Sequence, residues 1–321
     1  MSRARLPILL LAAAAALALP PSRPRAAPRA ALEFGDAFWK VWGDGRGELS
    51  GYDLRFPRYG KVRRGTAVAI FVTETFSGSA RVKSETGKHP AEDEYPVMKL
   101  NLVQDFSTGI YDYNLMTSTF IQLEEANRLP AGSATKVSFS SQEWCGQVFE
   151  QMLFDAKAAR LTSHSYFDGE ADREQVLAIP PGALAEDALP LWARGFAAPA
   201  LARGETRAVP LVRSLATMRL EHVPAAVLEA RLTRSSAPHR VQVPAGDFDV
   251  ETFTAVVTGG RTWTFSVEAA EPRRLVAWET SDGMRGELLG SDRLAYWRMN
   301  GPGFESELAR LGLSPRPPRV P

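Results

Sequence analysis

The stretch Thr262-Trp263-Thr264-Phe265-Ser266-Val267-Glu268 decides the fold, because large apolar side chains alternate strictly with polar ones along it. Successive side chains of a β-strand point to opposite faces of a sheet, so this period of two is typical of a strand with one buried face. Gly259-Gly260 precedes the stretch. The two turn signals that follow it are Glu271-Pro272 and Ser281-Asp282-Gly283. The pattern therefore predicts an antiparallel strand between tight turns.

Further runs of the same kind extend outward in both directions, separated by segments rich in Gly, Asn, Asp or Pro. Predicted strands are Thr66–Phe76, Val97–Phe106, Thr135–Ser141, Gln147–Asp155, Arg240–Pro244, Phe248–Val257, Arg274–Thr280, Met284–Leu289 and Leu294–Met299. The turn at residues 244–247 predicts a hairpin. The fold class is therefore mainly β, with antiparallel strands forming an open barrel or sandwich in two β-rich halves joined by a short helical connection.

The helical connection is predicted within Ala185–Ala202, where Leu189, Trp192 and Phe196 recur at helical spacing but prolines interrupt them. The predicted division is residues 1–31 as signal peptide and leader, 32–175 as the N-terminal β-rich half, 176–206 as the connection, 207–300 as a C-terminal β-meander, and 301–321 as a Pro/Arg-rich tail. Such a tail has too little apolar surface to fold alone, so we expect it to be disordered.

The first residues have the three-part pattern of a secretory signal peptide. Arg3 and Arg5 precede the apolar run Leu6–Leu19, and small residues suited to cleavage follow. Both Ala16-Leu17-Ala18 and the later stretch 26–31 fit a cleavage site. The apolar run is too short for a membrane span of about 20 residues. We expect an exported protein, periplasmic in location, with no transmembrane span after signal removal.

Composition excludes several classes of function. The formal net charge of +1 across 321 residues gives no electrostatic field for nucleic acid. The single cysteine rules out an internal disulfide, so apolar burial must stabilise the fold. The four histidines are scattered, and no phosphate-binding loop, paired cysteines or nucleophile elbow is present. The sequence therefore predicts no metal and no cofactor.

The segment 140–147 concentrates polar, aromatic and sulfur groups at a predicted hairpin tip. One hypothesis makes Cys145 a nucleophile activated by His164, with Gln142 helping to hold an oxyanion. A thiol needs a base or a positive neighbour to ionise at neutral pH. The alternative, which the oxidising compartment favours, is that Cys145 is a small buried residue packed beside Trp144.

A second group of candidates could bind a ligand. Tyr111, Asp112 and Tyr113, together with Trp144, could hydrogen-bond and stack against a sugar. The simpler interpretation is a β-turn whose two tyrosines stack along one face of the sheet. The segment Tyr166–Asp172 offers carboxylates suited to calcium or acid–base work, although carboxylates in a Gly-containing turn are usually just solvated.

Several of these segments together resemble a family of exported bacterial β-rich proteins of unknown function. The stretches that carry the resemblance are Tyr95–Asn101, Thr108–Phe120, Ser140–Gly146, Tyr166–Asp172, Val243–Phe248 and Trp278–Gly283. Members sometimes carry the label septum formation inhibitor Maf. True Maf proteins are cytosolic nucleotide pyrophosphatases with an N-terminal Ser-x-Ser-Pro-Arg-Arg loop. No such loop occurs here, so the resemblance implies an uncharacterised exported protein and not Maf chemistry.

Two classes of function follow from the sequence. The first is non-catalytic binding of an envelope lipid, glycan or protein partner in a β-walled groove, which the absence of an assembled catalytic pattern favours. The alternative is an envelope hydrolase or transferase that uses Cys145 as its nucleophile. Whether the protein is an enzyme stays open at this stage.

Overall fold

A computed structural model describes residues 32–315 of the chain. The predicted signal peptide and leader, and the last six residues of the predicted tail, lie outside this range. The described part is built mostly of antiparallel β-strands, which confirms the predicted fold class.

The strands run through most of the chain. Those of the N-terminal half are β1 (Gly47–Arg58), β2 (Lys61–Ser77), β3 (Glu94–Thr108), β4 (Tyr111–Gln122), β5 (Ala134–Glu143), β6 (Gly146–Phe154), β7 (Ala158–Ser165) and β8 (Arg173–Ala178). Those that follow are β9 (Leu184–Ala185), β10 (Thr206–Val212), β11 (Val227–Arg234), β12 (His239–Val243), β13 (Gly246–Val257), β14 (Thr262–Glu268), β15 (Leu275–Thr280) and β16 (Arg285–Leu294).

These strands form one continuous sheet and not two. Its order is β8-β7-β6-β5-β4-β3-β2-β1-β16-β15-β14-β13-β11-β10-β9, with β12 paired to β13 beside this path. The antiparallel pairing of β1 with β16 joins the two halves, from Gly47 opposite Leu294 to Arg55 opposite Arg285. The two predicted halves are thus two arms of a single open sheet.

Alternating burial explains why these segments are strands. In β14, Phe265 and Val267 are fully buried, while the other residues of the strand are partly exposed. In β5, Val137 and Phe139 are buried in the same alternating way. One face of the sheet therefore carries the apolar core, as the period of two predicts. The predicted hairpin at residues 244–247 is confirmed by the pairing of β12 with β13.

The helices are short. They are α1 (Asp36–Trp42), α2 (Leu189–Ala193) and α3 (Leu215–Glu221), with 3₁₀ turns at Ala91–Asp93, Glu186–Ala188, Tyr296–Arg298 and Phe304–Leu311. None of the helices between residues 32 and 315 combines the length and apolar character needed to cross a membrane.

Two local expectations from the sequence are wrong. The predicted strand Leu294–Met299 is instead the end of β16 followed by a 3₁₀ turn. The predicted tail is not disordered at Phe304–Leu311, because Leu311 is buried against Leu49 and Leu294 at the β1–β16 seam. A few apolar residues at helical spacing are enough to fix this segment despite the surrounding prolines.

The connection between the halves packs against both arms of the sheet. The Trp192 ring lies 5.6 Å from the ring of Phe253 on β13, and the Phe196 ring lies 6.3 Å from that of Phe71 on β2. On β4, the Thr119 hydroxyl donates to the backbone carbonyl of Asp187 at 3.1 Å. The arms therefore curve around the connection, which forms much of the core between them.

A buried ion pair fixes the connection to the seam of the sheet. Arg194 donates to both carboxylate oxygens of Glu48, with N–O distances of 2.6 and 3.0 Å, and both side chains are excluded from solvent. The same guanidinium donates to the backbone carbonyls of Pro272 and Arg273. Its face lies 4.2 Å from the centre of the Phe71 ring. One side chain thus joins the connection, β1, β2 and the turn before β15.

Candidate functional site

The β5–β6 hairpin tip projects into solvent. Trp144 is 65% exposed and Cys145 is also exposed, so the interpretation of Cys145 as a buried residue packed beside Trp144 is wrong. The physical reason is local: Glu143 pairs with Gly146, so Trp144 and Cys145 are the two residues of the turn and lie beyond the last pair of the two strands.

The residues proposed for thiol chemistry are not brought together by any contact in the described range. The His164 imidazole pairs with Asp172, with Nδ1 and Oδ1 3.0 Å apart. Gln142 is exposed on β5, opposite Asn114 of β4 and Gln147 of β6. Cys145 lies instead near the phenol of Tyr111. The catalytic role of these three residues stays a prediction.

The aromatic candidates do cluster. The ring of Tyr111 lies 6.3 Å from that of Trp144 and 5.9 Å from that of Tyr113. Tyr113 is buried, however, and its hydroxyl is hydrogen-bonded to that of Tyr59 at 2.6 Å. It therefore links the β1–β2 turn to β4 and does not face a ligand from outside. Burial raises the pKa of Tyr113, which keeps its hydroxyl protonated.

The polar candidates at these turns have local partners. Asp112 accepts a hydrogen bond from Ser107 at 2.5 Å across the β3–β4 turn. In the segment Tyr166–Asp172, Glu170 pairs with His222 while Asp172 pairs with His164. No group of three or more potential metal ligands occurs between residues 32 and 315. Asp112 and Asp172 therefore bond within their own hairpins, while Glu170 joins the β7–β8 turn to the end of α3.

A cavity lies inside the curve of the sheet; the sequence predicts a β-walled groove but neither its place in the fold nor the residues that line it. It has a volume of about 60 Å³. Its wall is mainly apolar and comes from both arms of the sheet and from the connection; it includes Phe56, Phe71, Leu100, Leu102, Leu220, Trp263, Phe265, Leu275, Trp278 and Met284. Aromatic and aliphatic walls with a few polar groups at one end are typical of a small-molecule site.

A larger polar depression of about 360 Å³ adjoins this cavity. Both are lined by Glu186, Thr217 and Arg261, so the two spaces adjoin, and we name the depression the mouth. Three carboxylates, of Glu186, Glu221 and Asp282, and two guanidinium groups, of Arg213 and Arg261, line the mouth. An apolar interior thus opens into an entrance that carries both signs of charge.

Two adjacent acids stand at the junction between cavity and mouth. Glu186 accepts from the indole nitrogen of Trp263 and from the backbone of Ser214, both at 2.9 Å. Asp187 accepts from the Ser214 hydroxyl at 2.6 Å and from the Leu215 backbone at 3.1 Å. Burial, partly offset by these hydrogen bonds, raises the pKa of Asp187 to about 6. Asp187 lines the cavity and is itself only partly exposed to solvent.

Helix α3 lies across this end of the cavity and places Ala216, Thr217 and Leu220 in its wall. Its C-terminal part is held to the surrounding turns by side chains. Arg58 of β1 donates to the Leu220 carbonyl at 3.0 Å, and Arg219 donates to Glu143 of β5 at 2.6 Å. Arg261 pairs with Glu221. The helix thus covers this end of the cavity and is bonded to both arms of the sheet; we call it the lid.

Sequence reasoning missed this site because its parts are far apart in the chain. The alternation in β14 placed Trp263 and Phe265 on one face but did not show what that face surrounds. Glu186 and Asp187 looked like ordinary residues of a connection. The available signal was a pair of acids directly before an apolar helical pattern, which is typical of capping and positioning residues near helix starts.

No family model matches the sequence, and no curated protein matches it. Among solved structures, the chain is similar to the crystal structure of a β-barrel-like protein of the domain of unknown function DUF1849 from Brucella abortus. The two are 12% identical with a TM-score of 0.43, over 77% of this chain and 98% of that one. The resemblance to exported proteins described above stays a prediction.

We expect the exposed tip to matter little for stability. Trp144→Ala should change the free energy of unfolding by less than about 1 kcal/mol, because an exposed indole has little packing to lose. Cys145→Ala should behave alike, and Cys145 should react with iodoacetamide in the native protein. Urea denaturation of both variants tests this. A loss of about 3 kcal/mol for Trp144→Ala, the cost of removing a buried aromatic, would contradict it.

Proposed function

We propose that this protein binds an amphipathic, lipid-like molecule, with an apolar chain in the interior cavity and a zwitterionic head group at the mouth. The observation that carries the proposal is that the two spaces adjoin and share Glu186, Thr217 and Arg261 in their walls. An apolar cavity favours hydrocarbon because burying it there removes it from water. Of the lipid, glycan and protein partners considered from sequence, a lipid fits this wall best.

The charges at the mouth favour a head group that carries both signs. The Arg261 guanidinium, which pairs with Glu221 and Asp282, suits a phosphate that replaces one of these partners, and the carboxylate so released suits an ammonium group. A purely anionic head would meet three carboxylates in the same depression, and a purely cationic one would meet two guanidinium groups. A phospholipid with a phosphoethanolamine head satisfies both sets of groups.

The cavity as it stands holds only a short apolar segment, since about 60 Å³ is open. Side chains of α3 fill the adjoining space, so a longer chain enters by displacing this helix. Binding therefore includes a movement of the lid, which ligand contacts must stabilise. We further propose that binding takes place in the bacterial envelope; the signal predicted in residues 1–31 supports this location.

Filling the cavity should abolish binding. In Ala216→Trp, an indole on α3 points at the apolar wall, so the affinity for a fluorescently labelled lysophosphatidylethanolamine should fall at least about tenfold. Fluorescence titration below the micelle concentration measures the affinity. The matched control is Ala91→Trp, which adds the same side chain at an exposed site in the β2–β3 connection.

Ala91→Trp should bind the probe as the unmodified protein does. Thermal melts of both variants confirm that they are folded. Equal affinity of Ala216→Trp and Ala91→Trp would contradict the proposal, as would the absence of any saturable binding by the unmodified protein.

A further inference from the structure

Three hairpin apices at one end of the sheet carry large apolar side chains. Ile110 is 81% exposed, Tyr166 71% and Trp144 65%, which places them among the most exposed large apolar residues of the described chain. Turn apices usually hold Gly, Asn, Asp or Ser, whose conformations and hydrogen bonding suit tight turns. Ile110 and Trp144 lie in such tight turns and Tyr166 directly follows β7, and their apolar side chains do not serve the turns themselves.

The strand register brings these apices to the same end of the sheet. The β3–β4 turn closes at Thr108 opposite Tyr111, and the β5–β6 turn closes at Glu143 opposite Gly146. Tyr113 of β4 lies opposite Glu143 of β5, so the two turns are neighbours. The β7–β8 turn follows at the same edge, since the Tyr166 backbone bonds the carbonyl of Gln147.

This end of the sheet is also the end where the cavity opens. The turns after β13 and β15 contribute Gly259, Gly260, Ser281 and Asp282 to the mouth. Arg55 near the end of β1 lies opposite Arg285 at the start of β16, which places the β15–β16 turn beside the β1–β2 turn. The apolar apices therefore stand around the same edge as the mouth.

From this arrangement we propose that the apical end, defined by Ile110, Trp144 and Tyr166, docks onto a phospholipid bilayer surface. Tryptophan and tyrosine are enriched at membrane–water interfaces because their rings are apolar and their edges are polar. The neighbouring β1–β2 hairpin adds basic side chains that attract anionic head groups; these are Arg58, Lys61, Arg63 and Arg64. Docking here would place the mouth next to the bilayer that supplies the lipid ligand. This consequence rests on the proposed function.

A second copy of the chain fits this end less well. The three side chains expose on the order of 500 Å² of surface, whereas a stable protein interface buries about 800 Å² on each partner. They also project from separate turns and do not form a flat patch. Separate projecting side chains suit insertion between lipid head groups, as interfacial aromatic residues do.

Vesicle flotation tests the docking. The full mature chain should float with vesicles of phosphatidylcholine and phosphatidylglycerol, and the variant Ile110→Ser/Trp144→Ser/Tyr166→Ser should partition at least about tenfold more weakly. The matched control, Val82→Ser/Trp297→Ser/Phe304→Ser, removes exposed apolar side chains from the opposite end and should lose less than about twofold. Failure of the unmodified chain to float, or equal losses in both variants, would overturn the proposal.

Two further measurements separate docking from the other possibilities. Ala216→Trp should float as the unmodified chain does. If the unmodified chain floats but does not bind the probe, docking stands and the proposed function fails. Sedimentation velocity should show a monomer at the concentrations used. A dimer that the apical substitutions dissociate would overturn docking in favour of self-association.

Discussion

Replacing Arg194 by alanine should lower the free energy of unfolding by about 3–5 kcal/mol, because it leaves the Glu48 carboxylate buried without its partner. Both side chains are excluded from solvent, and the carbonyls of Pro272 and Arg273 also lose a donor. Few single substitutions cost this much, and those that do leave a cavity or an uncompensated charge in the core.

The comparison should be made with Arg240→Ala, which removes an exposed arginine that pairs with Asp247 and Asp249. Exposed pairs of this kind contribute about 0–1 kcal/mol, so this control should unfold at nearly the same urea concentration as the unmodified protein. Replacing both members of the buried pair, as Arg194→Met/Glu48→Leu, should cost less than Arg194→Ala alone. Similar losses for Arg194→Ala and Arg240→Ala would show that the connection does not depend on this pair.

Stability should fall as the pH rises from about 4.5 to about 7, and Glu150 should account for much of the fall. This residue is buried on β6, where Ser163 donates to one of its carboxylate oxygens and no described group reaches the other. Burial raises the pKa of Glu150 to about 7, above the ordinary value of 4.5. At intermediate pH the folded protein therefore holds a proton that the unfolded chain has released.

The sign follows from proton linkage. Below pH 4.5 the carboxyl is protonated in both states and has no differential effect; between 4.5 and 7 the folded state binds more protons, so stability decreases. The full loss is about 3 kcal/mol above pH 7. Glu150→Gln removes this titration, so its advantage over the unmodified protein should grow by about that amount between pH 4 and 8.

Urea denaturation at a series of pH values measures the difference between the two proteins. Asp187, whose pKa is raised to about 6, lowers the free energy of unfolding of both proteins over the same pH range. The two proteins must therefore be compared at each pH. The control is Glu174→Gln on the exposed face of β8, which should show no such divergence. Parallel stability curves for Glu150→Gln and the unmodified protein would contradict the assignment.

The sequence predicts strands where one face is buried and the other exposed, but it does not predict β1, β7, β8, β10 or β11. Val97–Phe106 and Phe248–Val257 alternate as expected and form parts of β3 and β13. Periodicity reports the local environment of a strand but not its distant neighbours. The pairing of β1 with β16, which makes the two halves one sheet, joins opposite ends of the chain and leaves no local pattern.

The site is hidden for the same reason. Glu186 and Trp263, which bond each other in its wall, are 77 positions apart in the chain. Conversely, the dense group around Cys145 drew attention although Trp144 proved exposed. Residue types at a hairpin tip do not show whether the tip folds back on the sheet or projects from it. That depends on what packs against the tip, which only the three-dimensional arrangement shows.

The most direct test of the central claim is a crystal structure of the protein with lysophosphatidylethanolamine whose acyl chain carries bromine. Anomalous diffraction locates the bromine without reference to the protein. The account predicts a peak between α3 and the rings of Trp263 and Trp278, with the head group beside Arg261. A peak only at the outer surface of the sheet, or none beside these rings while the ligand is bound in the crystal, would contradict it.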